Sequence, residues 1–191
     1  MKRATALLLS PDEPTKTTRS RAGGARSGKS TYAQKLAEAW WQHPLYLAPA
    51  ETLDNEMAER VRKHRDQRGP RWGCAEEPLD IARIIRKPTH THDGVLLDCA
   101  TLWLTNVLLK EGPDAVKTRQ KELLDSLAAS PAGVIIVSNE VGMGIVPESA
   151  LGREFRDLQG WLNQDLARTA DIVILVVAGI PLAIKGALPA L

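Results

Sequence analysis

Eight consecutive residues, Gly23-Gly24-Ala25-Arg26-Ser27-Gly28-Lys29-Ser30, fit the pattern G-x-x-x-x-G-K-[ST]. Backbone N–H groups of such a loop wrap the phosphates of a nucleotide, and glycine lets the chain approach the anion closely. Lys29 is placed to reach the terminal phosphates as a point charge, and the Ser30 hydroxyl to hold Mg²⁺. The next residues, Thr31–Ala39, read as a helix whose N-terminus adds partial positive charge beneath the phosphates. A chance glycine-rich turn explains the glycines but not the lysine, the hydroxyl and the helix together.

Three further groups could complete such a site. Asp98 ends the apolar run Val95-Leu96-Leu97, and a carboxylate at the carboxyl end of a parallel strand faces the ligand crevice. There it can bind Mg²⁺ directly or through water, although an Asp at a strand end also serves as a turn or helix cap. His64 lies among Arg60, Arg62, Lys63 and Arg65, whose charges disfavour its protonated form and leave a neutral imidazole. Such a nitrogen can attack a nucleotide's α-phosphate, splitting one transfer into two; a solvated helix surface is the plainer alternative. The string Asn139–Pro147, with two glycines and a terminal proline, follows a strand and forms a shaped loop at the sheet's carboxyl edge. His43, His90 and His92 sit in polar or proline-containing loops, and His90, His92 and Cys99 match no closed four-ligand zinc spacing.

The elements needed to position these groups follow from hydrophobic pattern. Leu45–Ala48, Val95–Asp98, Val134–Ser138 and Ile172–Val177 are continuous apolar runs, as expected of strands covered on both faces. Between them, helices are expected over 54–67, 113–129 and 149–169, the last presenting Leu151, Phe155, Leu158, Leu162 and Leu166 to a core. This alternation predicts an α/β fold with a mostly parallel central sheet and helices on both faces. With 191 residues, one nucleotide-binding domain over 23–191 is the simplest organisation. Residues 1–22 are atypical: Thr15–Ala22, just before the loop, is polar and basic where a buried strand should run. Ala6–Leu9 is the apolar candidate for that strand, followed by an insertion.

Composition excludes several classes. No apolar run approaches the ~20 residues of a membrane span. Two cysteines are too few for a disulfide framework, so a reducing cytoplasm is expected. The net charge is only +2, but Arg60, Arg62, Lys63, Arg65, Arg68 and Arg71 form a local cationic run suited to phosphates. Nucleic acid is the weaker alternative, since Trp72 is the only stacking aromatic beside those charges.

Taken in order, Gly23–Ser30, His64, Trp72, Leu97-Asp98-Cys99 and above all Asn139-Glu140-Val141-Gly142-Met143-Gly144-Ile145-Val146-Pro147 resemble the bifunctional adenosylcobinamide kinase/adenosylcobinamide-phosphate guanylyltransferases of cobalamin biosynthesis. The resemblance covers roughly residues 23–185. It implies a P-loop NTPase fold like that of RecA and a homotrimer. It implies phosphorylation of the aminopropanol hydroxyl of adenosylcobinamide, with GTP or ATP as donor. GMP then passes from GTP to adenosylcobinamide phosphate through a covalent histidine, matched here by His64. The same matching places GTP contacts on Gly23, Gly24, Ala25, Arg26, Ser27, Gly28, Lys29 and Ser30; on Pro49, Ala50 and Glu51; on Arg65, Asp66, Gln67 and Arg68; and on Glu76 and Asp98.

Three departures stand against that pattern. Pro49-Ala50 replaces hydroxyl residues, Asp98 is a methylene shorter than the frequent glutamate, and Thr15–Ala22 replaces an apolar strand. The last leaves two alternatives open: one activity alone, or a catalytically silent nucleotide-binding protein.

Overall fold

The computed structural model describes residues 19–22, 27–49, 69–88 and 91–189. Its elements are β1 (Arg19–Ala22), α1 (Lys29–Trp40), β2 (Pro44–Ala48), β3 (Gly73–Glu76) and α2 (Ile81–Arg86). They continue with β4 (Gly94–Asp98), α3 (Ala100–Glu111), α4 (Pro113–Ala129), β5 (Gly133–Val137), α5 (Ala150–Thr169), β6 (Val173–Val177) and β7 (Ile180–Lys185). The helix expected over 54–67 lies outside the described residues.

The strands form one seven-stranded sheet in the order β3-β2-β4-β5-β1-β6-β7. All pairings are parallel except that of β7 with β6. Alternate residues of the central strands serve two cores. Val95, Leu97, Val134 and Ile136 pack with Ile85, Trp103, Leu123 and Leu162 from α2, α3, α4 and α5. Leu96, Ile135 and Val137 turn to the opposite face, against Tyr32, Ala33, Leu36 and Ala37 of α1. Both faces are therefore covered, which is why these strands read as unbroken apolar runs.

One expectation is corrected. The place between β5 and β6 is filled by Arg19–Ala22, with Arg21 level with Val137 on one side and Ile174 on the other. Ala6–Leu9 lies outside the described residues. A four-residue strand is held by the backbone groups of its two neighbours, and those hydrogen bonds take no account of side-chain polarity. Hydrophobicity therefore gave no sign of it. The loop at residue 23 follows directly on a paired central strand, which removes the ground for expecting it on a displaced backbone.

The helix expected over 113–129 matches α4, and Ser149 caps α5 by accepting the N–H of Gly152 at 3.1 Å. On α5, Leu162 and Leu166 are buried, and Phe155 and Leu158 pack against the same core. Leu151 does not join them: it is half exposed in the first turn, before the helix meets the sheet.

Gly94 opens β4 where a Cβ would stand 1.9 Å from Cδ2 of the buried Trp41. Gly160, inside α5, has nothing within 4 Å of such a Cβ. Gly94→Ala is expected to cost about 1–3 kcal/mol through overpacking, lowering the thermal midpoint by roughly 3–10 °C. Gly160→Ala is expected to raise it by about 2–4 °C through helix propensity; calorimetry of the two variants distinguishes these signs.

Candidate nucleotide site

Parallel pairing brings the carboxyl ends of β3, β2, β4, β5 and β1 to one edge of the sheet, where ligands bind in such folds. The order places β5 between the strand that leads into the phosphate loop and the strand that carries Asp98.

At the loop end, Gly28 takes φ +88°, a conformation that favours glycine, and its carbonyl accepts the Tyr32 N–H at 2.9 Å to start α1. A Cβ on Gly28 would lie 3.3 Å from Gly179 Cα, because the β6–β7 turn packs against the loop. Gly179 N–H also donates to the Ser27 carbonyl at 2.9 Å. The first turn of α1 holds no acidic residue and no side-chain cap, so its N–H groups keep their positive field for an external anion. Lys29 is only 8% exposed. Among the described residues, the buried Ser27 Oγ has no hydrogen-bond partner. A buried polar atom left in that condition is costly, and phosphate oxygens supply the missing bond. The described loop residues therefore fit a nucleotide.

Two strands away, Asp98 Oδ2 accepts the Tyr46 hydroxyl at 3.3 Å. Cys99 follows it and lies within electrostatic reach of both charges. Burial pushes its thiol above the ordinary range, the Asp98 carboxylate pushes it further, and backbone N–H groups and the Lys29 ammonium draw it back only in part. Lys29, Ser30 and Asp98 thus stand on one edge. Among the described residues no cluster of three His, Cys, Asp or Glu side chains could hold a metal by itself. His90 lies outside them.

Pro49 is buried just beyond β2, and Glu76, exposed, ends β3 beside Ala48. Asn106 of α3 ties this rim together, its Nδ2 donating to the Pro49 carbonyl at 2.7 Å and the Pro78 carbonyl at 3.1 Å. Both residues reach the proposed edge, but β2 and β4 separate Glu76 from β5 and the loop. Gly23, Gly24, Ala25, Arg26, Ala50, Glu51, His64, Arg65, Asp66, Gln67 and Arg68 lie outside the described residues. Trp72 meets Tyr46 edge-on at 6.4 Å and donates its Nε1–H to Glu38 at 3.3 Å.

Residues 21–184 match the family described as cobinamide kinase / cobinamide phosphate guanyltransferase. The chain belongs to that family. It is 42% identical to the bifunctional adenosylcobalamin biosynthesis protein CobP of Pseudomonas aeruginosa, over 86% of this chain and 95% of the relative. Identity to the bifunctional adenosylcobalamin biosynthesis proteins CobU of Escherichia coli and Salmonella typhimurium is 41% in each case. Each of those matches covers 85% of this chain and 97% of the relative. A crystal structure of the RadB recombinase is similar with a TM-score of 0.47 at 12% identity, over 82% of this chain and 72% of that one. As a member of this family the chain is an enzyme with kinase and guanylyltransferase activities, on an α/β fold with a mostly parallel sheet.

For this family member, pattern reading missed Gln159 and Asn163, the polar side chains of α5 that meet the loop after β5. Their signal was present, since two amides four residues apart interrupt the helix's leucine face.

Two outcomes test this geometry. Gly28→Ala is expected to weaken GTP binding about tenfold or more in a titration, since a left-handed backbone costs a side chain about 1–2 kcal/mol. At pH 7.5 iodoacetamide is expected to modify the exposed Cys74 roughly ten times faster than Cys99, as mass spectrometry of the peptides would show.

Proposed function

We propose that the protein phosphorylates adenosylcobinamide and then transfers GMP from GTP to the resulting adenosylcobinamide phosphate. The observation that carries this reading is a buried Lys29 near a buried Ser27 Oγ that has no partner among the described residues, on the sheet edge that also bears Asp98. In the kinase step the aminopropanol hydroxyl oxygen attacks the γ-phosphorus of GTP, or of ATP as alternative donor, and a nucleoside diphosphate leaves. The loop and Lys29 hold the triphosphate in line with the attacking oxygen, the main requirement of such transfers.

In the second reaction a neutral His64 nitrogen attacks the α-phosphorus of GTP and pyrophosphate leaves. A phosphate oxygen of the corrinoid substrate then displaces the imidazole, giving adenosylcobinamide-GDP. Arg65 and Arg68, with Ala50, Glu51, Asp66, Gln67 and Glu76, are proposed to bind GTP around that centre. Mg²⁺ on Ser30 and Asp98 would neutralise phosphate charge.

A homotrimer in the cytoplasm is the proposed setting. Exposed Ile180, Leu182 and Ile184 along β7 offer apolar surface for self-association, and no helix among the described residues is long and apolar enough to cross a membrane.

Incubation with GTP labelled at the α-phosphate is expected to leave acid-labile, base-stable label on the protein, and His64→Ala is expected to abolish it. Label of equal strength on His64→Ala would overturn the assignment of that residue.

A further inference from the structure

The end of β5 carries more polar structure than a strand-to-helix connection requires. Val137 is level with Asp98 on one side and Arg21 on the other, so Ser138, Asn139 and Glu140 leave the sheet between the two halves of the nucleotide site. Beneath them, wholly buried Gln159 donates through Nε2 to Ser138 Oγ at 3.0 Å and to Asn163 Oδ1 at 2.9 Å. Ser138 Oγ donates in turn to Asn163 Oδ1 at 2.6 Å. Asn163 Nδ2 then donates to the Asn139 carbonyl at 3.0 Å and to Glu140 Oε2 at 3.4 Å.

From the other side, Thr101 Oγ1 accepts the Asn139 N–H at 2.8 Å, and Gly142 N–H donates to Glu140 Oε1 at 3.1 Å. Such a network fixes geometry at a cost in stability, here including the buried Gln159 Oε1 and Asn139 Oδ1, which have no partner among the described residues. Here the chain of bonds ends on one partly exposed carboxylate. Its two oxygens have about four acceptor positions, of which these contacts use two.

We propose that Glu140 is the general base of the kinase step, held in position by Asn163. This deepens the proposed function and rests on it. As the substrate hydroxyl oxygen forms its bond to the γ-phosphorus, the bond from that phosphorus to the β-phosphate bridging oxygen breaks. The hydroxyl proton passes to a Glu140 oxygen, and the nucleoside diphosphate carries away the electron pair. Among the described residues, two other carboxylates at strand ends are less suited: Asp98 already accepts the Tyr46 hydroxyl, and Glu76 lies beyond β2 and β4.

The second reaction makes no such demand. Its final nucleophile is a phosphate oxygen that is already ionised, with no proton to remove. Glu140 is therefore needed by one of the two activities and not by the other.

That asymmetry provides the test. Glu140→Gln is assayed once with adenosylcobinamide and GTP, and once with adenosylcobinamide phosphate and GTP. Kinase kcat is expected to fall about 100-fold or more, with KM for adenosylcobinamide nearly unchanged. Guanylyl transfer is expected to stay within about threefold of wild type, which also reports an intact fold and nucleotide site. Glu140→Asp should recover part of the kinase rate, and Asn163→Ala should lower kinase kcat while sparing transfer. A Glu140→Gln protein with normal kinase activity, or one losing both activities together, overturns the proposal while leaving the two-reaction reading intact. A wild-type protein that performs neither reaction overturns that reading, and this one with it.

Discussion

The parallel pairing of β1 between β5 and β6 is the constraint on which the site depends. Four residues, three of them polar, hold this central position through backbone hydrogen bonds to flanking apolar strands. That placement aims the chain into the phosphate loop at the same edge where β4 delivers Asp98. It also puts the β6–β7 turn against the loop, where Gly179 N–H grips the Ser27 carbonyl. Without the ladder, a perfect loop sequence would have no fixed relation to the rest of the site.

Charge at this edge is arranged for an anion that brings its own negative oxygens. Lys29 is buried at the start of a helix whose first turn carries no acid, while Asp98 ends β4, two strands from β1. The Cys99 thiol, pushed up by burial and by the Asp98 carboxylate, stays protonated, so it adds no competing nucleophile or charge near neutral pH. The strand that separates the two halves ends in the Ser138–Gln159–Asn163 network, the most polar part of an otherwise aliphatic interior.

Legibility followed the physics of each element. β2, β4, β5 and β6 were readable because strands buried on both faces must be apolar throughout, and α4 because its leucines recur at helical spacing. β3 is a half-exposed edge strand of four residues, and α2 has only six, too short for either to show a period. α3 is apolar on most sides, which erases the contrast that periodicity needs. β7 is apolar yet exposed along its length, the reverse of the usual rule.

By itself the sequence determined the chemistry on offer: a phosphate-wrapping loop with its lysine and hydroxyl, an acid at a strand end, and a distinctive string after β5. These are local facts of residue type and spacing. The tertiary structure decided which strand feeds the loop, that β5 separates the loop from Asp98, and that two amides of α5 steady Glu140. Those relations join residues far apart in the chain through backbone ladders and buried side-chain contacts, and no local pattern encodes which partners will meet.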